Sequence, residues 1–278
     1  MNLQLSWVSY FSWIALSLNR DDDVPLMSAS QPLDILVIAP HPDDAEMLCG
    51  GLLWKAKLAG KRIGIVDLTR GETGTRGTPQ TRAQEAAAAS KMLGVDVREN
   101  LGLKDGHLIH DRTLLSAIVR VLRKHRPACV LAPHWEDQHP DHAAAGQAIL
   151  HAAFMAGVPK FEPKSARGVA SAQALPYRPK LVLHYNNRYG IHANLIFDIS
   201  DVFERKMELV SCFQSQFGPG APKKSGTQSE PQTRLSHANF TEWFRGLHTF
   251  YGYQIGARYG EAYAVKSPLR ASLTMLDF

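Results

Sequence analysis

The chain has 278 residues, 45% of them hydrophobic, and a formal net charge of +5. A chain of this length can bury a substantial core, and one large α/β domain is the simplest expectation. The basic residues are scattered instead of forming a stripe with interleaved aromatic residues, so we expect no nucleic-acid partner. Cys49, Cys129 and Cys212 are widely spaced and form no C-x-x-C motif. This pattern favours reduced cysteines and a cytoplasmic location.

The first 32 residues differ from the rest of the chain. Their apolar stretch, residues 7–18, is too short to span a bilayer and follows no basic segment, so we expect neither a membrane span nor a signal peptide. We interpret residues 1–32 as an extension of undetermined order outside the core domain. An interfacial anchor and a helix docked on a neighbouring subunit stay open, and so does a homo-oligomer.

From residue 33 onward, short apolar runs alternate with helical stretches, which is typical of parallel βαβ units. The first four strands are expected at residues 34–39, 62–68, 95–100 and 128–132. The helices between and after them are expected at residues 50–58, at 82–94 with Gly94 at the end, after an N-cap at Asp111, and at 143–156.

The second half of the chain alternates less regularly. Strands are expected at residues 180–185 and 194–199, a helix after a capping box formed by Asp201 and Glu204, and a last helix at 240–256. Residues 218–237, rich in Pro, Gly, Ser and Thr, predict a mobile loop. The expected fold for residues 33–278 is one α/β domain whose Rossmann-like, mostly parallel sheet has the order 3-2-1-4-5 plus extra strands, flanked by helices.

The tripeptide His-Pro-Asp occurs twice, each time shortly after an apolar run. The first copy is His41-Pro42-Asp43, followed by Asp44, and the second is His139-Pro140-Asp141, followed by His142. Each copy alone could be an ordinary turn, because Pro and Asp are common turn residues. Strands 1 and 4 are neighbours in the expected order, so both copies open onto one crevice at the carboxyl edge of the sheet. We therefore interpret them as a metal site.

A hydrolytic zinc site needs three protein ligands, an open position for water and a base beside that water. His41 and Asp44 share a tight turn, and His142 would complete a set of two imidazoles and one carboxylate. Asp43 is then the candidate base. His139 is left to contact the substrate oxygen or the leaving amine, with Asp141 placed to hold its ring.

These motifs resemble the LmbE-like, GlcNAc-PI deacetylase family, and within it the N-acetylglucosaminyl-malate deacetylases of bacillithiol biosynthesis. The resemblance covers about residues 33–267. It is carried by the run from residue 39 to 46, the paired glycines at 50 and 51, the loop at 68–77 and the run 139–142. The resemblance implies Zn²⁺ held by the residues that match His41, Asp44 and His142. It also implies Asp43 as the base and His139 as an acid or oxyanion stabiliser.

Several further residues are candidates for substrate contacts. Arg82 matches an arginine near the anionic part of the substrate in bacillithiol-type enzymes, and we favour a substrate role for it because arginine suits carboxylate recognition. Arg76 lies at the same edge of the sheet. His134 either lines the pocket or ends a strand, and Glu46 either supports the metal or complements the helix dipole. Asp137 stands where some relatives carry a tyrosine.

The sequence therefore predicts a zinc-dependent hydrolase that removes the N-acetyl group from a small anionic GlcNAc conjugate, with N-acetylglucosaminyl malate as the expected substrate. Chito-oligosaccharides and other GlcNAc conjugates stay open. Fe²⁺, Co²⁺ or Mn²⁺ could replace zinc at such a site. The alternative from another class is a Rossmann-like nucleotide-binding protein, which would carry Gly-x-Gly-x-x-Gly where this chain has His-Pro-Asp-Asp.

Overall fold

The computed structural model describes residues 31–163, 175–185, 193–217 and 231–266, which all belong to the unit Gln31–Phe278. The extension predicted at residues 1–32 lies almost entirely outside the described residues. Of the loop predicted at 218–237, residues 218–230 also lie outside them, and residues 231–237 form neither helix nor strand. The order of the extension and the mobility of the loop stay predictions.

Seven strands of the described residues form one mixed sheet of order β3-β2-β1-β4-β5-β7-β6. The first five are mutually parallel, and β7 runs antiparallel to both β5 and β6. This confirms the predicted order 3-2-1-4-5 with extra strands, although β7 itself was not predicted. The strands are β1 Ile35–Ala39, β2 Ile63–Thr69, β3 Val97–Leu103, β4 Cys129–Pro133, β5 Leu181–Tyr185, β6 Leu195–Asp198 and β7 Gly260–Ala264.

The described helices are α1 Asp44–Leu58, α2 Pro79–Leu93, α3 Arg112–His125, α4 Pro140–Met155, α5 Phe203–Ser211, α6 Gln214–Phe217 and α7 Phe240–Gln254. The N-cap predicted at Asp111 is confirmed, because its carboxylate accepts the N–H groups of Thr113 and Leu114.

The capping box predicted at Asp201 and Glu204 is wrong. Helix α5 begins at Phe203, and the residue before it, Val202, makes no side-chain cap. Both acidic side chains bind cations instead, since Asp201 contacts Lys55 at 2.8 Å and Glu204 contacts Arg245 at 2.8 Å. Long-range ion pairs thus replace the local contacts that the spacing suggested.

Both faces of the sheet are covered by helices, because successive strand residues point to opposite sides. On one face, Leu36 and Ile38 of β1 pack in a core with residues of α3 and α4. On the other face, Val37 and Ala39 pack in a core with residues of α1, α5 and α7. The two cores hold the central strands β1 and β4 rigidly in place.

The pairing of β1 with β4 positions the two His-Pro-Asp turns. The strands are parallel neighbours, with Ile35 opposite Cys129 and Val37 opposite Leu131. Their carboxyl ends therefore lie at the same edge, where the chain enters α1 after the first turn and α4 after the second. Strand β1 has β2 as its neighbour on one side and β4 on the other, so the direction in which strands are added to the sheet changes here. Ligand-binding crevices form at such switch points.

A buried charge cluster ties α1 to the antiparallel end of the sheet. Glu261 of β7 accepts hydrogen bonds from the backbone N–H groups of Gly51 and Leu52, both at 2.9 Å, and from Lys206 Nζ at 2.7 Å. Lys206 also donates to His248 Nε2 at 2.7 Å, and it is fully buried. A Cβ on Gly51 would lie 2.9 Å from the Glu261 carboxylate, so only glycine allows this approach.

We predict that Lys206→Met lowers the free energy of unfolding by about 3–5 kcal/mol, because it leaves the buried Glu261 carboxylate without its cation. Urea unfolding followed by circular dichroism measures the change. The matched control is Lys55→Met, which breaks a pair on the surface and should cost no more than about 1 kcal/mol. Equal losses in the two variants would contradict a dominant role for the buried cluster.

Candidate metal centre

Two buried imidazoles, one from each turn, converge on one carboxylate oxygen. Asp44, the first residue of α1, places its Oδ2 atom 3.4 Å from His41 Nδ1 and 3.3 Å from His142 Nε2. The same oxygen accepts the backbone N–H of His41 at 2.9 Å, which fixes the turn between β1 and α1. His142 enters from the first turn of α4. The structure thus brings together the three residues predicted as metal ligands.

The spacing of these donor atoms fits a zinc ion. Ligand atoms at about 2.0–2.2 Å from a tetrahedral ion lie about 3.3–3.6 Å from one another. The two measured separations from Asp44 match that value, and two imidazoles with one carboxylate leave a fourth position open for water or substrate. His41, His139 and Asp141 form a second group of donors that could hold a metal, with His41 shared between the two groups.

Three further carboxylates surround the far sides of the two imidazoles. His41 Nε2 lies 3.0 Å from Asp105 Oδ1 and 3.5 Å from Asp141 Oδ2. His142 Nδ1 lies 3.5 Å from Asp137 Oδ2, which is longer than an ordinary hydrogen bond. This buried nitrogen has no hydrogen-bond partner among the described residues. Carboxylates in such positions orient the ring nitrogens that face a metal.

The carboxylates around His41 and His142 carry negative charge that a cation would stabilise. Burial disfavours protonation of His41, but Asp105, Asp141 and Asp44 outweigh it and raise the pKa of this imidazole well above its usual value. Burial likewise opposes protonation of His142, yet Asp44 and Asp137 raise its pKa to about 9. A metal ion can supply the same positive charge in place of the protons, because metal binding to histidine displaces them.

Asp43 is buried beside this cluster but faces a different partner. Its Oδ1 atom lies 3.0 Å from Nη2 of Arg82, and both side chains are more than nine-tenths buried. Burial raises the pKa of the Asp43 carboxyl to about 7, although the Arg82 guanidinium acts in the opposite direction. A carboxyl group with a pKa in this range suits proton transfer at neutral pH.

His139 is exposed at the mouth of the site, and its ring centroid lies 4.8 Å from that of His41. Its Nδ1 atom accepts the backbone N–H of Asp141 at 3.2 Å, so the backbone of Asp141 holds the ring. The Asp141 carboxylate instead accepts the N–H groups of Gly106 and Leu108. The predicted role of the Asp141 side chain in holding the His139 ring stays a prediction.

The three residues predicted to contact substrate are all buried. Arg82 donates to the carbonyls of Pro42 and Gly71 in addition to its contact with Asp43. Arg76 is 4% exposed, and its carbonyl accepts a hydrogen bond from Gln216. His134 accepts the N–H of Glu136 and stacks on the ring of Trp135 at a centroid distance of 4.0 Å, outside both groups of metal donors.

Glu46 contacts no metal donor and pairs with Arg98, which also binds Asp67 through two nitrogens at 3.0 and 3.1 Å. This buried group links the first turn of α1 to β2 and β3. Glu46 lies in the first turn of α1, where a carboxylate complements the helix dipole, and a supporting role at the metal stays a prediction. The contact with Arg98 anchors the start of α1 to the sheet.

Two parts of the site were not predicted from the sequence, namely Asp105 and the contact of Asp137 with His142. Asp105 follows β3, and a carboxylate after the end of a parallel strand is the same signal that pointed to the two His-Pro-Asp turns. Its Oδ2 atom accepts two hydrogen bonds from Thr73, which holds the carboxylate in line with His41. At Asp137 the sequence indicates only a departure from relatives with tyrosine.

Comparison with known proteins identifies the family. Residues 36–153 match the family model of PIG-L, GlcNAc-PI de-N-acetylase. The chain is 32% identical over 237 residues to diacetylchitobiose deacetylase of Thermococcus kodakarensis, covering 82% of this chain and 80% of that protein. This chain belongs to the PIG-L family.

Two other comparisons agree with this membership. A crystal structure of a conserved protein from Thermus thermophilus superposes with a TM-score of 0.72 at 33% identity, covering 86% of this chain and 97% of the other. A probable N-acetyl-alpha-D-glucosaminyl L-malate deacetylase 2 of Bacillus cereus is 26% identical, covering 66% of this chain and 83% of that protein. The two curated relatives named here are deacetylases of GlcNAc-type substrates, and this chain is a deacetylase of that kind. No helix among the described residues is long and apolar enough to cross a membrane.

We predict that Asp137→Asn lowers zinc affinity by about 10–100-fold, because an amide retains one acceptor for the His139 N–H but cannot orient His142 with a second oxygen. Competition with a chromogenic chelator measures the affinity. Asp111→Asn is the matched control, since it changes a capping carboxylate at the start of α3 and no contact of the site. An unchanged zinc affinity in Asp137→Asn would mean that this carboxylate stabilises only the backbone of the turn and does not orient His142.

Proposed function

We propose that this chain is a zinc-dependent N-deacetylase that hydrolyses the acetamido group of a terminal GlcNAc in a small conjugate. The observation that carries the proposal is the Asp44 oxygen lying 3.4 and 3.3 Å from nitrogens of His41 and His142. Asp43 and His139 flank these donors. A nucleotide-binding alternative receives no support from the first turn, since buried histidine and aspartate side chains stand where a glycine-rich phosphate loop is needed.

The residues around the donors supply the parts that amide hydrolysis requires. A zinc ion bound there would polarise the acetyl carbonyl and lower the pKa of water. Asp43 takes a proton from the attacking water while the water oxygen bonds to the acetyl carbon. The carbon–nitrogen bond then breaks, and His139, which has taken up a proton to become an imidazolium, gives that proton to the leaving amine, so that acetate and a free amino sugar form. Asp43 releases its proton to solvent, which returns both side chains to their starting states. The exposure of His139 allows it to reach the substrate nitrogen, while the Asp141 N–H fixes its ring.

For the substrate we propose the terminal GlcNAc of a chito-disaccharide. The relative that acts on diacetylchitobiose shares 32% identity over 82% of the chain. The main sequence argument for a malate conjugate was Arg82, and that guanidinium is buried against Asp43 and two backbone carbonyls. N-acetylglucosaminyl malate is the second candidate, favoured by the B. cereus relative and by the net positive charge.

We predict that the protein releases acetate from diacetylchitobiose, with a lower kcat/KM for N-acetylglucosaminyl malate and for free GlcNAc. A coupled acetate assay over this panel measures the rates. A chelator should abolish activity, and added Zn²⁺, Co²⁺, Fe²⁺ or Mn²⁺ should restore it to different extents. A reversed order of the two conjugates would select the malate substrate, and acetate release that survives removal of the metal would overturn the metal mechanism.

The variant Asp43→Asn tests the proposed base in this assay, because it keeps the size of the side chain and removes its basicity. It should retain one zinc per chain while turnover falls by about 10²–10⁴-fold. Loss of zinc from this variant would make Asp43 a ligand and not a base.

We predict that His139→Ala lowers kcat with little change in KM, because the proton donated to the leaving amine is needed only in the transition state. Steady-state kinetics on diacetylchitobiose measures both constants. His237, another exposed histidine whose Nδ1 accepts a backbone N–H two residues further on, provides the control variant His237→Ala, which should keep both constants. An unchanged kcat in His139→Ala would reduce this histidine to a turn residue.

A further inference from the structure

Asp43 has a backbone conformation that L-residues rarely adopt. Its φ angle is 124°, and among the described residues only Asp43 and Arg126 have a positive φ without being glycine. Arg126, at φ 48°, is an ordinary left-handed residue at the end of α3. Asp43 is therefore the strained position, and it lies between Pro42 and the first residue of α1. A residue in such a region persists only when its surroundings hold it there.

The contacts of Arg82 supply that restraint. Its Nη2 atom donates to the carbonyl oxygen of Pro42 at 2.6 Å and lies 3.0 Å from the Asp43 carboxylate. The first contact restrains the peptide group between Pro42 and Asp43, and the second restrains the Asp43 side chain. One guanidinium nitrogen thus fixes both ends of the Asp43 conformation. Charge-assisted hydrogen bonds of this kind are the strong ones in proteins.

Gly71 forms the opposite wall of the guanidinium site. Its carbonyl accepts a hydrogen bond from Arg82 Nη1 at 3.3 Å, and its φ angle is +66°. A Cβ at this position would lie 2.0 Å from Nη1 and 2.5 Å from Cζ of Arg82. Only glycine therefore allows the guanidinium to lie flat between the loop after β2 and the Pro42–Asp43 turn.

We propose that Arg82 is a positioning residue that clamps the strained Pro42–Asp43 turn and so aims the Asp43 carboxylate at the reacting water. The inference rests on the proposed function, in which Asp43 is the base. It departs from the substrate role that the sequence suggested for Arg82. A substrate carboxylate could reach this guanidinium only by displacing Asp43, since the Arg82 side chain is 5% exposed.

The clamp predicts that Arg82→Ala lowers kcat by about 10²-fold, the effect expected of a misplaced reacting group. KM should change little, and the loss should be equal for diacetylchitobiose, N-acetylglucosaminyl malate and free GlcNAc. Zinc content should stay at one per chain. Added guanidinium ion, kept below denaturing concentrations, should restore part of kcat because it can occupy the vacated site. Arg82→Lys should be intermediate, since one ammonium group keeps the charge but cannot span Pro42, Asp43 and Gly71.

Gly71→Ala tests the clamp while leaving the side chains of Arg82 and Asp43 unchanged. The added methyl group should push the guanidinium away, lower kcat in the same way as Arg82→Ala and leave KM and zinc content unchanged. Gly60→Ala is the matched control: its φ angle of +70° imposes the same backbone strain, but a Cβ there meets no atom within 4 Å. This control should keep the full kcat.

The outcomes separate failure of the clamp from failure of the proposed function. If the wild-type protein releases no acetate, the proposed function is wrong. If it does, and Asp43→Asn is inactive, the function stands. An Arg82→Ala variant that then keeps its kcat but raises KM only for the malate conjugate would overturn the clamp and restore the substrate role. A Gly71→Ala variant as active as Gly60→Ala would also overturn it.

Discussion

The site depends on one carboxylate placed between two buried imidazoles. Asp44 begins α1 directly after β1, and its Oδ2 atom reaches both His41 and His142 at distances close to those of tetrahedral zinc ligands. That contact exists because β1 and β4 are parallel neighbours with both faces packed by helices. The rigid central strands bring two turns, separated by about a hundred residues of chain, to one edge of the sheet.

Three further carboxylates lie near Asp44, and their negative charge would destabilise the folded protein if no cation compensated it. Asp105, Asp137 and Asp141 lie on the far sides of the two histidines. In the free protein the imidazoles hold protons more tightly, and a metal ion can take over that positive charge. The same arrangement serves metal chemistry, because the outer carboxylates fix the nitrogen that each ring presents. Stability and metal binding are thus coupled at this edge.

The fold was largely predictable because its determinants are local. Apolar runs bounded by turn residues indicated the order of the first five strands, and the Asp111 cap was visible because this residue directly precedes a helical pattern of apolar residues. Strand β7 was missed because Gly260–Ala264 is short and carries the buried Glu261, whose charge is compensated by Lys206 and helix α1, both distant in the chain. The capping box failed for a similar reason, since distant cations bind Asp201 and Glu204.

At the site, the residue types that meet can be deduced from the sequence, because each His-Pro-Asp turn follows a strand and parallel strand ends share an edge. It therefore indicated His41, Asp44 and His142 together, with Asp43 and His139 beside them. The directions in which the side chains point are visible in the three-dimensional structure alone. Arg82 turns toward Asp43, Asp141 toward the backbone of Gly106, and Asp105 toward His41. Those directions depend on packing between segments far apart in the chain, and no local pattern encodes them.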